Sequence, residues 1–100
     1  MNNLTLIDLF LNEYWIEKGL SENTVLSYRL DLTALCDWLD KQNLSLETLE
    51  PLDLQQFLGS RLEQGYKATS TARMLSAMRK LFQYLYREKY RTDDPSAVLS

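Results

Sequence analysis

Apolar side chains recur at every third or fourth position through most of this chain of 100 residues, and no segment alternates apolar and polar residues. This spacing places apolar side chains along one side of an α-helix, whereas a half-buried strand needs alternation. Proline and glycine, which interrupt helices, number only two and three. The sequence therefore predicts an all-α protein. The pattern is clearest in one long stripe made of Val25, Tyr28, Leu32, Leu35, Cys36 and Leu39.

The first half of the chain predicts two helices. The first covers about residues 6–18, with Thr5 as a candidate N-cap and Gly19 as the stop signal. The second begins after Ser21 and runs to about Lys41. The apolar side of the first helix is expected to contain Leu6, Ile7, Leu9, Phe10 and Tyr14.

Two further helices are predicted in the second half. The third covers about residues 52–64, where Pro51 suits the first helical position. The fourth covers about residues 70–89, with Thr69 or Ser70 as its cap. Because the connections are short, the helices should pair as two antiparallel hairpins. The expected apolar stripes are Leu54, Phe57, Leu58 and Leu62 in the third helix, and Leu75, Met78, Leu81, Phe82, Leu85 and Tyr86 in the fourth.

The composition excludes several kinds of chemistry. The chain has no histidine and a single cysteine, Cys36, so neither an ordinary zinc site nor a His-dependent nucleophile is expected. Its three glycines are isolated and form no phosphate-binding loop. No apolar run is long enough to cross a membrane. We therefore expect no metal, no cofactor and no membrane partner, and a reducing, cytoplasmic setting with Cys36 buried.

The charge of the chain is strongly segregated. Residues 1–66 carry a net charge of −7, whereas residues 67–91 carry +6, so the total of −3 conceals a dipole. Lysine and arginine on a helix that begins with serine and threonine suit the binding of phosphate groups. A solvated helix face explains the same charge without any function, and an acidic protein partner is a further alternative.

Two segments resemble a known family. LSENTVLSYRLDL, at residues 20–32, has a Ser, Thr and Tyr at fixed spacing before a basic residue and leucine. The later run KATS, AR, LSA, R and LFQYLYREK, which ends in DDPSA, is more specific. Together they resemble the N-terminal core-binding domain of the tyrosine recombinases, the phage-integrase SAM-like domain. The resemblance covers essentially the whole chain.

The resemblance implies a four-helix core-binding domain whose two antiparallel helical hairpins pack roughly crosswise. It implies that the second and fourth helices lie against the major groove of double-stranded DNA. Residues 1–91 would form this DNA-binding domain, and residues 92–100 would begin a linker to an absent C-terminal catalytic domain. None of the six tyrosines is assigned as a nucleophile. The chain itself is thus expected to be no enzyme, although its full-length parent would be one.

Within that family the chain is most similar to the bacterial Xer recombinases, which implies specific partners. These are a short chromosomal dif site, a partner recombinase of the XerC type in a heterotetramer, and an FtsK-type translocase that acts through the C-terminal domain. The implied process is resolution of chromosome dimers at cell division. The fragment alone is expected to be a monomer. Alternatives are the integrase of a mobile element and a helical protein-interaction module.

Family resemblance and helix geometry agree on a DNA-binding face in the fourth helix. Arg73, about one turn into that helix, is the candidate for reading a guanine edge. Arg79 is expected to make either a salt bridge or a phosphate contact. The other candidates on this face are Lys67, Thr69, Ser70, Ser76 and Lys80. For Thr69 and Ser70, helix capping is the alternative role.

The second helix supplies weaker candidates near its start: Asn23, Thr24 and Ser27. Thr24 is expected either to contact phosphate or to act as a second cap. Arg29 is expected to pair with Glu22 or Asp31, or to reach phosphate. Leu26 and Leu30 depart from the family pattern, since they occupy the outward side. They would touch thymine methyl groups, the tail or a neighbouring protomer.

Overall fold

The computed structural model describes residues 1–99 and contains helices but no strands within that range. The helices are α1 (Asn3–Lys18), α2 (Glu22–Lys41), α3 (Pro51–Glu63) and α4 (Ala68–Arg87). The predicted all-α class and the order of the helices are confirmed. The chain divides into two compact units, Met1–Leu46 and the part that begins at Glu47. Helix α1 packs on α2 in the first unit, and α3 packs on α4 in the second.

The first unit has an apolar core between its two helices. From α1 it buries Leu6, Ile7, Phe10 and Leu11, and from α2 it buries Val25, Leu32, Leu35, Cys36 and Leu39. The predicted stripe of α2 is thus confirmed. In α1, Leu9 was wrongly expected in the core: it is 39% exposed, and Leu11 is buried instead. Leu11 lies four residues after Ile7 and one residue after Phe10, so it extends the buried side where Leu9 turns away.

Helix α1 begins earlier than the sequence predicted. Asn2 is the N-cap, and its side-chain oxygen accepts a hydrogen bond from the Thr5 N–H at 2.8 Å. The prediction that Thr5 caps the helix is therefore wrong, because Thr5 already lies inside the first turn. The predicted end is confirmed: Gly19 adopts a left-handed φ of 58°, and its N–H bonds the Trp15 carbonyl at 3.0 Å.

Asn3 joins the start of α1 to the segment after α2. Its Nδ2 donates to the Asp40 carboxylate at 3.1 Å and to the Leu44 carbonyl at 3.2 Å. Its Oδ1 accepts from the Leu46 N–H at 2.9 Å. Asn3 is only 7% exposed, so these bonds satisfy a polar group that burial would otherwise leave unpaired. The first unit is closed by this one side chain as well as by its apolar core.

The second unit begins with a well-defined helix start. Pro51 is the first residue of α3, as predicted, and the Glu50 N–H donates to the Asp53 carboxylate at 2.8 Å. Leu54 and Phe57 are buried. Leu62 was wrongly placed in the apolar stripe, since it is exposed. Arg61, one turn after Phe57, is the buried polar residue of this helix.

Helix α4 provides most of the core of the second unit. Its buried residues are Met74, Ala77, Met78, Leu81, Phe82, Tyr84 and Leu85. Tyr86 was expected on this side but is exposed, and Tyr84 is buried instead. The helix ends at Arg87, two residues before the predicted end, and Lys89 has a left-handed φ of 65° that breaks the helical path.

The segment after α4 is packed against the second unit. Asp94 accepts hydrogen bonds from the backbone and the hydroxyl of Ser96, at 2.9 and 2.6 Å, and this pairing starts a tight turn. Ser96 and Leu99 are buried. That residues 92–100 lead into a linker stays a prediction, and Ser100 lies outside the described residues. Within residues 1–99, no helix combines the length and the apolar character needed to cross a membrane.

Candidate nucleic-acid interface

The start of α4 differs from the predicted one in a way that matters for the site. The helix begins at Ala68, and Lys67 is its N-cap. Thr69 and Ser70, predicted as caps, lie inside the first turn, so that prediction is wrong. Among the described residues, no side chain caps this end. The first helical backbone bond runs from Thr71 N–H to the Lys67 carbonyl at 3.0 Å, which leaves the preceding amides without an intrahelical acceptor.

The polar residues of this first turn lie at the surface. Lys67, Thr69 and Arg73 are exposed, and Ser70 is half-buried. A helix start without a side-chain cap carries a partial positive charge and N–H groups that point outward along the axis. The structure thus brings one cation, two hydroxyls and free amides together in the first turn of α4, with Arg73 about one turn further along. This is an arrangement suited to an anion.

Ser76 and Lys80 continue the face one and two turns further along α4. The Lys80 ammonium donates to the Ser76 hydroxyl at 2.8 Å, and both residues are half-buried. They line a shallow groove together with Ala72, Leu75, Arg79 and Gln83. Thr69, Arg73, Ser76 and Lys80 follow one another at spacings of three or four residues, so these four candidates share one side of α4, whereas Lys67 and Ser70 belong to its start.

Two of the basic residues in the segment 67–91, Arg79 and Arg91, have structural roles. Arg79 donates a hydrogen bond to the carbonyl of Leu99. The sequence had predicted a salt bridge or a phosphate contact for this arginine, and not this partner. Arg91 is buried, and its guanidinium donates to the Leu49 carbonyl at 2.7 Å and pairs with Asp93 at 3.0 Å. The net charge of the segment hence overstates the charge that α4 presents to a ligand.

The candidates on α2 lie around a helix cap. Ser21 is the N-cap, as predicted, and its hydroxyl accepts from the Thr24 N–H at 3.2 Å. The Thr24 hydroxyl is also bonded to the Ser21 hydroxyl, at 2.9 Å, so Thr24 takes part in the cap. Asn23 is exposed and Ser27 is half-buried. These side chains are polar and close to a helix start; Ser21 and Asn23 are exposed, whereas Thr24 and Ser27 are half-buried.

The outward side of α2 is more apolar than its start. Leu26 and Leu30 are 51% and 72% exposed, as the sequence predicted. Arg29, between them in sequence, pairs with Asp8 of α1 at 2.5 Å and not with Glu22 or Asp31. The pair joins the two helices because Asp8 lies on the neighbouring side of α1. Leu26 and Arg29 also line a groove with Leu11, Trp15 and Val25.

Sequence reasoning missed an arginine beneath the start of α4. Arg61, in the last turn of α3, is only 7% exposed. Its guanidinium carbon lies 4.0 Å from the centre of the Tyr66 ring and 5.9 Å from that of Phe57. Within residues 1–99 its Nε has no hydrogen-bond partner. The signal was available, because Arg61 follows Phe57 by four residues and so lies on the buried stripe of α3.

Tyr14 of the first unit has no activated hydroxyl. Tyr14 stacks on Phe10 with ring centres 5.3 Å apart and faces Tyr28 at 6.1 Å. Desolvation, followed by the charge of Tyr28, raises the pKa of Tyr14 above its usual value. A raised pKa keeps the phenol protonated, whereas a nucleophile needs the opposite shift. The packing of Tyr14 therefore fits a structural role.

Comparison with known proteins gives a family match over most of the chain. Residues 7–89 match the family described as phage integrase, N-terminal SAM-like domain. Over its whole length the chain is 88% identical to "Tyrosine recombinase XerD" of Haemophilus influenzae and 76% identical to the protein of that name from Pasteurella multocida. It is 62% identical to the Yersinia pestis protein over 95% of the chain. The chain spans about a third of the length of these relatives, 32–34%. It belongs to the family of phage integrase N-terminal SAM-like domains.

Proposed function

We propose that this chain is the DNA-binding N-terminal domain of a XerD-like, site-specific tyrosine recombinase, and that it clamps a dif-type site in double-stranded DNA. The observation that carries the proposal is the uncapped, basic start of α4, where Lys67 and Arg73 are exposed beside Thr69. The three relatives described above share the name of such a recombinase, which favours this reading over the integrase of a mobile element.

The first turn of α4 would bind the DNA backbone. Lys67 supplies a charge for a phosphate, and the free amides and the hydroxyls of Thr69 and Ser70 supply hydrogen-bond donors. Such contacts fix the position of the protein on the duplex without reading its sequence. The corrected helix start strengthens this role, because Thr69 and Ser70 no longer serve as caps.

Base recognition is assigned to Arg73. It lies one turn further along α4 than the phosphate contacts, on the same exposed side. An arginine in the major groove can donate two hydrogen bonds to the O6 and N7 atoms of guanine. Ser76 and Lys80 extend the contact along the groove. Asn23, Thr24 and Ser27 of α2 contribute secondary contacts to the backbone.

Catalysis belongs to the remainder of the recombinase in this proposal. Residues 92–100 lead toward a catalytic domain that supplies the tyrosine nucleophile. The parent acts in the cytoplasm with an XerC-like recombinase in a heterotetramer, under an FtsK-type translocase, to resolve chromosome dimers at cell division. Because binding energy is shared between two domains, the fragment alone binds DNA more weakly than the full clamp.

The test is a salt titration of DNA binding with a dif-type duplex and a scrambled duplex, using this chain and the longer recombinase. Arg73→Ala should abolish the preference for the dif-type duplex and lower affinity about tenfold or more. Arg87→Ala is the matched control, since it removes an exposed arginine from the far end of α4. Equal binding of both duplexes by every variant would reduce α4 to a phosphate clamp. No binding by the longer recombinase at low salt would refute the proposal.

A second function is supported by the outward side of α2. Leu26 and Leu30 lie one turn apart and are 51% and 72% exposed, so they form an apolar pair on the outward side of α2. They would pack on a neighbouring recombinase in the assembled tetramer. Leu30→Asn should then leave binding to a single site unchanged and weaken assembly on paired sites. A loss of single-site binding would instead place these leucines against DNA.

A further inference from the structure

Arg61 combines burial with incomplete pairing, and this combination is costly. The residue is 7% exposed, and its Nε meets no acceptor within residues 1–99. Its nearest aromatic neighbours are Phe57 and Tyr66, whose rings attract a cation but do not neutralise it. Removing a cation from water costs more than two cation–π contacts return. A buried, partly unsatisfied arginine in a small domain therefore requires an explanation.

Helix electrostatics explains a cation at this position but not its burial. Arg61 lies in the last turn of α3, where a positive charge is favourable. An exposed lysine or arginine in that turn would provide the same benefit and keep its hydration. The aromatic stack must therefore have a role beyond completing the end of α3.

The stack lies directly next to the proposed phosphate site. Tyr66 precedes Lys67, the N-cap of α4, and its N–H donates to the Arg61 carbonyl at 3.1 Å. Gly65 adopts a left-handed φ of 89°, which lets the chain turn sharply between the helices. Arg61 therefore holds the turn through both its backbone and its side chain, and the turn sets where Lys67 and the first amides of α4 lie.

We propose that Arg61 is a positioning residue of the DNA interface, which orients the α3–α4 turn through Tyr66 and adds its uncompensated charge to the phosphate site. This inference rests on the proposed function. When a backbone phosphate binds at the start of α4, it supplies the negative charge that Arg61 lacks in the free protein. The free chain accepts a buried charge so that the turn is preorganised and positive before DNA arrives.

The experiment compares Arg61→Met with Arg61→Lys in the chain. Methionine fills the space without a charge, so the urea midpoint should stay the same or rise. Affinity for a dif-type duplex should nonetheless fall about fivefold at low salt. The difference should shrink at high salt, because a positive charge at a phosphate contributes through the release of counterions from DNA. Lysine keeps the charge and should recover most of the affinity. A purely structural arginine predicts the reverse: lower stability, and an affinity difference that does not depend on salt.

Two further variants separate the possible failures. Lys67→Ala should weaken DNA binding if the proposed function is right. If Lys67→Ala weakens binding and Arg61→Met does not, the role of Arg61 is wrong and the DNA-binding proposal stands. If neither variant changes binding, both proposals fail. Should Arg61→Met not fold, Tyr66→Leu removes the half-exposed ring while keeping the charge, and unchanged binding by that variant would overturn the positioning role.

Discussion

Arg91 separates the charge that stabilises the fold from the charge that binds DNA. It belongs to the basic segment by sequence, yet its side chain is buried. Its guanidinium donates to the Leu49 carbonyl at 2.7 Å, pairs with Asp93 at 3.0 Å, and lies 5.9 Å from the Phe82 ring centre. Each of these contacts lies within the second unit. We therefore predict that Arg91→Ala destabilises the chain and leaves the intrinsic DNA affinity of the folded protein unchanged.

The magnitude follows from the three contacts. Loss of the arginine leaves the Leu49 carbonyl without its charged donor, which costs about 2 kcal/mol. The Asp93 carboxylate is mostly exposed and is rehydrated, so its pairing contributes about 0.5 kcal/mol. The lost packing and cation–π contact with Phe82 contribute about 1 kcal/mol. The free energy of unfolding should fall by roughly 3.5 kcal/mol, which lowers the melting midpoint by about 15–20 °C in a domain of this size.

The assay is urea unfolding followed by circular dichroism, with DNA binding measured at a temperature where the variant is folded. Arg87→Ala is the control, because that arginine is exposed and its pair with Glu88, at 3.8 Å, is weak. The control should change the free energy of unfolding by less than about 0.5 kcal/mol. If Arg91→Ala were as stable as the wild type and bound DNA weakly, the structural assignment of Arg91 would be refuted.

Three further variants test the packing. Asn3→Ala should lower the free energy of unfolding by about 2–3 kcal/mol, because the two backbone groups and the carboxylate that Asn3 bonds lose their partner. Urea unfolding measures this loss, and an unchanged free energy would contradict the role of Asn3. Burial, then Asp40, Asp37 and Asp8, raises the pKa of the Cys36 thiol from 9.0 to about 12. The unfolded chain thus releases this proton first, and the thiol contributes a loss of stability of about 1.4 kcal/mol per pH unit between those values. In urea unfolding at alkaline pH, Cys36→Ala should remove this contribution and leave that of Tyr14. Leu30→Asn should leave the urea midpoint unchanged, whereas a large loss would place Leu30 in the core.

The helices could be predicted because burial repeats with the helical period. The stripe of α2 from Val25 to Leu39 is long enough to reveal its direction and extent. The starts of α1 and α4 were predicted wrongly, because the sequence identifies an N-cap only by its residue type. Asn2 is as good a cap as Thr5, and Lys67 caps α4 with its backbone alone. Local propensity does not decide between neighbouring candidates when packing sets the helix boundary.

Charged residues were the least predictable part of the site. Residue type alone predicts that every arginine lies at the surface, whereas Arg61 and Arg91 are buried. Arg61 lies on a helix and its spacing from Phe57 gave a signal. Arg91 follows the end of α4, where no periodicity exists, and its partner Leu49 is distant in sequence. Contacts between segments far apart in the chain decide such cases.

The salt dependence of DNA binding measures how much of the basic segment reaches phosphates. Residues 67–91 contain seven basic side chains, and contact by all of them would give a slope of log affinity against log salt of about −6. The structure directs Arg79 to the Leu99 carbonyl and buries Arg91. Arg87 lies about 30 Å along α4 from its start, and Lys89 follows the end of the helix.

Three cations remain on the proposed interface: Lys67, Arg73 and Lys80. If each neutralises one phosphate, the slope for this chain should be about −2.7. Lys67→Ala should reduce its magnitude by about 0.9, whereas Arg87→Ala should leave it unchanged. A wild-type slope near −6 would mean that the far end of α4 also contacts DNA. In that case the interface would be the whole helix, and the assignment of the binding face to its first four turns would be wrong.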